Sequence, residues 1–94
     1  MLMNRDYEQF QQTAELLKAL GHPVRLCILK GLLDTGGCNV THMTHCLALP
    51  QSTISQHLQK LKQAKIIEGE RKGLEITYRV TSDLAKQIMT LMDL

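Results

Sequence analysis

The stretch LPQSTISQHLQKLK, residues 49–62, gathers hydroxyls, amides and lysines without one carboxylate, around apolar residues that recur at helical spacing. Ser, Thr and Gln donate to phosphate oxygens or read base edges, and Lys neutralises phosphate, whereas a carboxylate at the same surface is repelled by a polyanion. At about 100° per residue, Ile54, Leu58 and Leu61 fall in one narrow sector, while Ser52, Ser55, Gln56, Gln59, Lys60 and Gln63 take the opposite side. An ordinary amphipathic surface helix has the same pattern, so the periodicity leaves both readings open.

A second stretch with chemistry in it is CNVTHMTHC, residues 38–46. His42, His45 and Cys46 stand at i, i+3 and i+4, a spacing that lets side chains converge on a helix. A tetrahedral site needs a fourth ligand and none stands near, so the expectation is no metal and no other cofactor. His42 and His45 point away from the Val40, Met43 and Leu47 stripe and are read as solvated; a non-standard metal site at His42, His45 and Cys46 stays as the alternative. His22 and His57 are read as structural, with a phosphate contact as the alternative for His57.

The three cysteines, Cys27, Cys38 and Cys46, are an odd number with no CxxC, which favours reduced thiols over a disulfide framework. Cys27 falls in an apolar helix and reads as an inert, buried small hydrophobe. Cys38, on a loop after two glycines, and Cys46, near a helix end, are the candidate redox thiols. Helix rise alone separates those two by roughly 10 Å, so a direct bond between them requires local unwinding or a partner thiol.

The elements that must carry these residues follow from the rest of the chain. Its 94 residues make one domain, 1–94, at a size where a single core is only marginally sufficient and self-association is a reasonable expectation. Residues 6–20 form an apolar-faced helix with Phe10, Ala14 and Leu17 on one stripe and Leu16 and Leu20 beside it. HPVRLCILKGLLD starts a second, mostly buried helix at Pro23, and DTGG breaks it. Asn39 or Thr41 caps a short helix through about Leu47, and Pro50 separates it from the helix of the opening stretch, about Gln51 to Ala64. KIIEGERKGLEITYRV reads as a hairpin turning near Lys72 and Gly73, with Leu74, Ile76, Tyr78 and Val80 alternating with polar residues. The tail places Leu84, Ile88 and Leu91 on a last helix stripe.

Two short helices joined by a tight turn, followed by a hairpin, make a winged helix-turn-helix, mainly α with a small β-hairpin in the order α-α-α-α-β-β-α. Residues 39–64 are the helix-turn-helix and 66–80 the wing. The helices at 6–20 and 83–93 carry more apolar residues than one small core covers, and are expected to pair across a two-fold axis as dimerisation helices. No Asp or Glu occurs between Asp34 and Glu68, while six of the eleven basic residues fall between Lys60 and Arg79, an electropositive second half. No acid in that span can pair with His42, His45 or His57, and neither a phosphate loop nor a nucleophile elbow is present, so an enzyme is not expected. The start MLMNRDYEQF lacks a secretory apolar core and no apolar run reaches membrane-spanning length, which points to a cytoplasmic protein without a membrane partner.

At ALGHPVRLCIL, LPQSTISQHLQKLKQAKII and ERKGLEITYRV the chain resembles the ArsR/SmtB family of bacterial winged-helix repressors, and especially its PagR-like members, over about residues 14–80. The resemblance implies a homodimer joined through the first and last helices, acting as a sequence-specific repressor on a palindromic operator in double-stranded DNA. It places Gln51, Ser52, Thr53, Ser55 and Gln56 where the family reads DNA, with Arg71 and Lys72 on the wing; His57, Gln59 and Lys60 complete the candidate surface. Family metal sensors carry a Cys-x-Cys pair where this chain has Asn39 and Thr41, or Asp and His on a last helix that here, in SDLAKQIMTLMDL, holds no histidine. Both inherited ligand sets are broken, which disfavours metal sensing and leaves a small-molecule or oxidant inducer unidentified. A winged-helix module that binds protein rather than DNA is the alternative function.

Overall fold

Helix limits follow the punctuation of the chain. In the computed structural model, which describes residues 4–93, α1 runs Asn4–Leu20 and α2 Pro23–Thr35. Pro23 opens α2, where its missing N–H costs nothing, and His22 caps the helix by accepting the Val24 N–H on Nδ1 at 3.1 Å. Gly36, at φ 78°, ends it in the left-handed conformation that returns its N–H to the Leu32 carbonyl. Asn39, not Thr41, caps α3 (Val40–Leu47): its Oδ1 accepts the His42 N–H at 2.8 Å. Next come α4 (Gln51–Gln63), the antiparallel strands β1 (Ile67–Lys72) and β2 (Glu75–Val80), and α5 (Asp83–Met92), whose cap Ser82 accepts the Ala85 N–H. Residues 1–3 and 94 of the expected domain lie outside the described residues.

The core is built around the back of α4. Ile54, Leu58 and Leu61 are sealed there, against Leu29 and Leu32 of α2 and Ile66 just before β1. Burying each such side chain contributes about 1.5–3 kcal/mol, which fixes the rotation of α4 about its own axis. The outer helices depart from the expected stripes. On α1 it is Leu16, Ala19 and Leu20 that face the core, while Phe10, Ala14 and Leu17 stay outside. On α5, Ala85 and Met89 go in, and Leu84 and Leu91 stay out. Apolar residues go round α1, and on α5 they fill one broad sector of which only the side carrying Ala85 and Met89 meets the core, so periodicity could not choose the inner side.

Two further placements correct the sequence reading. Cys27 is exposed, because α2 turns Ile28, Leu29 and Leu32 inward and Cys27 lies off that side. Leu74 does not join the inward row of Ile76, Tyr78 and Val80. It shares a two-residue turn with Gly73, whose φ of 65° suits a tight hairpin loop, and is 99% exposed at the tip. The wing is tied back to the helix-turn-helix along β2: Cys38 and Tyr78 exchange backbone hydrogen bonds at 3.0 and 2.8 Å, and Asn39 Nδ2 donates to Glu75 Oε2 at 3.3 Å. Among the described residues no helix is long and apolar enough to cross a membrane.

Candidate nucleic-acid interface

With its apolar back sealed, α4 turns its other side entirely to solvent. Gln51, Ser52, Ser55, Gln56, Gln59 and Lys60 are exposed, and Thr53 and His57 are half-buried at the margins. The start of the helix is also open. Pro50 stands at the cap and supplies no side-chain acceptor, whereas α2, α3 and α5 are capped by His22, Asn39 and Ser82. The first-turn N–H groups of α4 therefore have no side-chain partner, and the positive end of the helix dipole is presented to whatever approaches. A phosphate oxygen satisfies such a terminus. The ion pair Lys30–Asp34 lies on α2, and Lys18–Glu15 lies on α1, where both residues share a cleft with Lys60 and Gln63 near the end of α4.

His57 behaves differently from its neighbours on α4. Its Nδ1 lies 3.3 Å from Arg25 Nη1, and its ring is tilted against that of His22 with centroids 4.5 Å apart. Arg25 in turn donates through Nε to the Ala19 carbonyl at 2.5 Å, so one guanidinium links the end of α1 to α4. Because guanidinium only donates, this contact requires an unprotonated Nδ1 on His57. Burial, then the neighbouring His22 and Arg25, lower the His57 pKa and favour that neutral ring. Arg25 was missed in the sequence. Its signal was a cation three residues after His22, in the first turn of a mostly apolar helix.

On the wing, Arg71 and Lys72 are both exposed, yet the register separates them. Arg71 pairs with Ile76 and Lys72 with Glu75, so the two cations project to opposite faces of the hairpin. Lys72 has a carboxylate directly across the ladder, and Arg71 an apolar neighbour.

The thiol and histidine candidates are split as well. Cys46 Sγ lies 3.4 Å from His42 Nε2, one turn away on α3. Cys38 is half-buried beside β2, and burial pushes its thiol pKa up. His45 is exposed and outside this group. Among the described residues no three His, Cys, Asp or Glu side chains are grouped so as to hold a metal ion.

Comparison with known proteins gives this arrangement a family. A helix-turn-helix domain model matches residues 20–70. The chain is 40% identical over 88 residues to the transcriptional repressor PagR of Bacillus anthracis, covering 94% of this chain and 88% of that one. The crystal structure of PagR superposes with a TM-score of 0.84 over 92% of this chain and 98% of that one, at 41% identity. The repressor SmtB of Mycobacterium tuberculosis is 41% identical over 73 residues, 78% of this chain and 53% of that protein. The solution structure of a homodimeric winged helix-turn-helix DNA-binding domain from Mycobacterium bovis gives a TM-score of 0.88 at 27% identity, covering 98% of this chain and 84% of that one. With the helix order, the wing and the sealed back of α4 all in place, the chain belongs to the ArsR/SmtB family of winged helix-turn-helix transcriptional regulators.

Proposed function

We propose that this protein is a sequence-specific repressor that binds a palindromic operator in double-stranded DNA as a homodimer, with α4 as the reading helix. The observation that carries the proposal is the outer side of α4: exposed Ser, Gln and Lys side chains without a carboxylate, at a helix start that no side chain caps. In this reading Ser55 and Gln56 meet base edges, and Gln59 and Lys60 flank them. Gln51, Ser52 and Thr53 hold phosphate at the open first turn, and Arg71 and Lys72 anchor the wing to the backbone or minor groove. His57, engaged by Arg25 and His22, positions α4 rather than contacting DNA.

The exposed apolar side chains of the outer helices support the homodimer. Tyr7, Phe10 and Leu17 on α1 and Leu84, Leu91 and Met92 on α5 need a cover, and a second copy supplies one through the same two helices. A two-fold pair sets its reading helices one DNA turn, about 34 Å, apart, which is why the operator is expected to be palindromic. The site of action is the cytoplasm. Zinc is expected to leave operator affinity unchanged within about tenfold, since neither family ligand set is intact. Cys38 and Cys46 are the residues through which a signal would enter.

The test is a binding titration with DNA from upstream of the protein's own gene, against scrambled DNA of equal length, at several salt concentrations. Tight cognate binding with a steep negative salt slope is expected. Salt-insensitive or absent binding to both fragments would remove the DNA reading and favour a protein-interaction module.

A further inference from the structure

The face between α2 and α3 holds chemistry that reading DNA does not use. All three cysteines open on one cleft of about 210 Å³. Its α2 wall carries Cys27, Gly31 and Thr35 at i, i+4 and i+8. His42 and Cys46 stand across from them on α3, and Cys38 adds the third thiol. Gly31 makes the room. A Cβ at that position would meet nothing within 4 Å, so the glycine is not there for close packing. A mid-helix glycine costs about 1 kcal/mol relative to alanine, and what it leaves here is empty volume over an apolar floor of Ile28, Met43 and Leu47.

The three thiols are not equivalent. Cys46 Sγ is 3.4 Å from His42 Nε2, which is placed to take the thiol proton. Cys38 is held as the thiol by its burial, and Cys27 has no such ring partner among the described residues. Two other uses of the cleft fit less well. No three ligand side chains among the described residues are grouped for a metal ion, and Cys27, Cys38 and Cys46 are all free thiols. The space instead suits a small, neutral, largely apolar molecule with one electrophilic carbon.

We propose that the α2–α3 cleft is a covalent binding site for small α,β-unsaturated carbonyl compounds, with Cys46 as the nucleophile and His42 as its base. The thiol proton passes to His42 Nε2 and the sulfur bonds to the β-carbon, as the C=C electron pair moves to form the enolate. The imidazolium then returns the proton to the α-carbon. The product is a thioether, and no oxidant or reductant is consumed. The consequence for DNA rests on the repressor reading above: an adduct wedged between α2 and α3 shifts α3 together with the Cys38–Tyr78 link to the wing, and lowers operator affinity.

The test treats the full chain with cyclohexenone and locates adducts by peptide mass spectrometry, with iodoacetamide as a smaller thiol probe. Cyclohexenone should add to Cys46 about tenfold faster than to Cys27 or Cys38, and His42→Ala should slow it about tenfold. Gly31→Leu, its fold checked by a melting curve, fills the cleft; it should slow cyclohexenone about tenfold while iodoacetamide at Cys46 stays within about twofold. Equal rates at the three thiols, or unchanged cyclohexenone addition in Gly31→Leu, would overturn the site. Treated parent protein should release operator DNA, and treated Cys46→Ser should not. An adduct that leaves affinity unchanged overturns the regulatory consequence. An untreated chain that binds no DNA overturns the repressor reading, while the addition rates still decide the site.

Discussion

α4 and the outer pair α1 and α5 are all amphipathic helices of one small domain, yet they meet solvent in opposite ways. On α4 the division is clean: Ile54, Leu58 and Leu61 are sealed and the remainder of the helix is polar and exposed or marginal. On α1 the apolar residues go round the helix and on α5 they spread over a sector wider than the core covers, so that Phe10 is 56% and Leu91 86% exposed although Leu16 and Met89 are buried. A helix whose outer side is already hydrated needs no partner to be stable, and is free to meet a polyanion. One that leaves Phe and Leu in water is completed by another apolar surface. On the proposed function, one surface of the chain meets a charged partner and the other a second copy.

The largest effect should come from charging the apolar side. Phe10→Asp with Leu91→Asp should give a folded monomer by ultracentrifugation, with cognate affinity lower by about 100-fold or more, because each half-site is then bound without its neighbour. This pair tests assembly more cleanly than removing residues 83–94, since that truncation also strips Ala85 and Met89 from the core. A dimeric double variant with unchanged operator affinity would erase the contrast between the two surfaces.

Substitutions on α4 sharpen the other side. Gln56→Ala should cost roughly 1–3 kcal/mol on the cognate operator and relax preference at one base pair in each half-site, with scrambled DNA little affected. Lys72→Ala should weaken both DNAs alike and reduce the salt slope by about one unit for each phosphate it no longer neutralises. Arg71→Ala, on the opposite face of the hairpin, then shows which side of the wing meets DNA. Equal losses on both DNAs for Gln56→Ala, or a cognate-only loss for Lys72→Ala, would reverse the division between reading and anchoring.

The smallest effect concerns His57. Its folded pKa lies below the ordinary value of 6.5, chiefly through burial, so on acidification the unfolded chain takes up the proton first. The His57 contribution to stability is complete above the unfolded value and shrinks as pH falls below it. Melting temperature should therefore drop between about pH 7 and about pH 5.5 more in the parent than in His57→Gln. Identical slopes would mean that the surroundings of His57, its burial first, do not hold the ring neutral in the folded chain.

Where an element had one apolar sector and firm punctuation, the sequence sufficed. Pro23 and Gly36 bound α2, Asn39 and Pro50 bracket the short α3, and the sector of Ile54, Leu58 and Leu61 told in advance which side of α4 would face out. The order of elements and the polar surface of α4 were legible for that reason. Burial of a contiguous apolar stripe is decided locally, by a period that the chain itself carries. Tertiary structure decided what has no local period. It chose Leu16 over Phe10 as the inner side of α1 and turned Cys27 outward, and it placed Leu74 at the wing tip because a two-residue turn leaves the ladder there. It also joined residues far apart in the chain: Arg25 to His57, Asn39 to Glu75, and Cys27, Cys38 and Cys46 around the space over Gly31. Such meetings depend on how helices cross and where one side chain leaves room for another, which becomes defined only when all the elements are packed together.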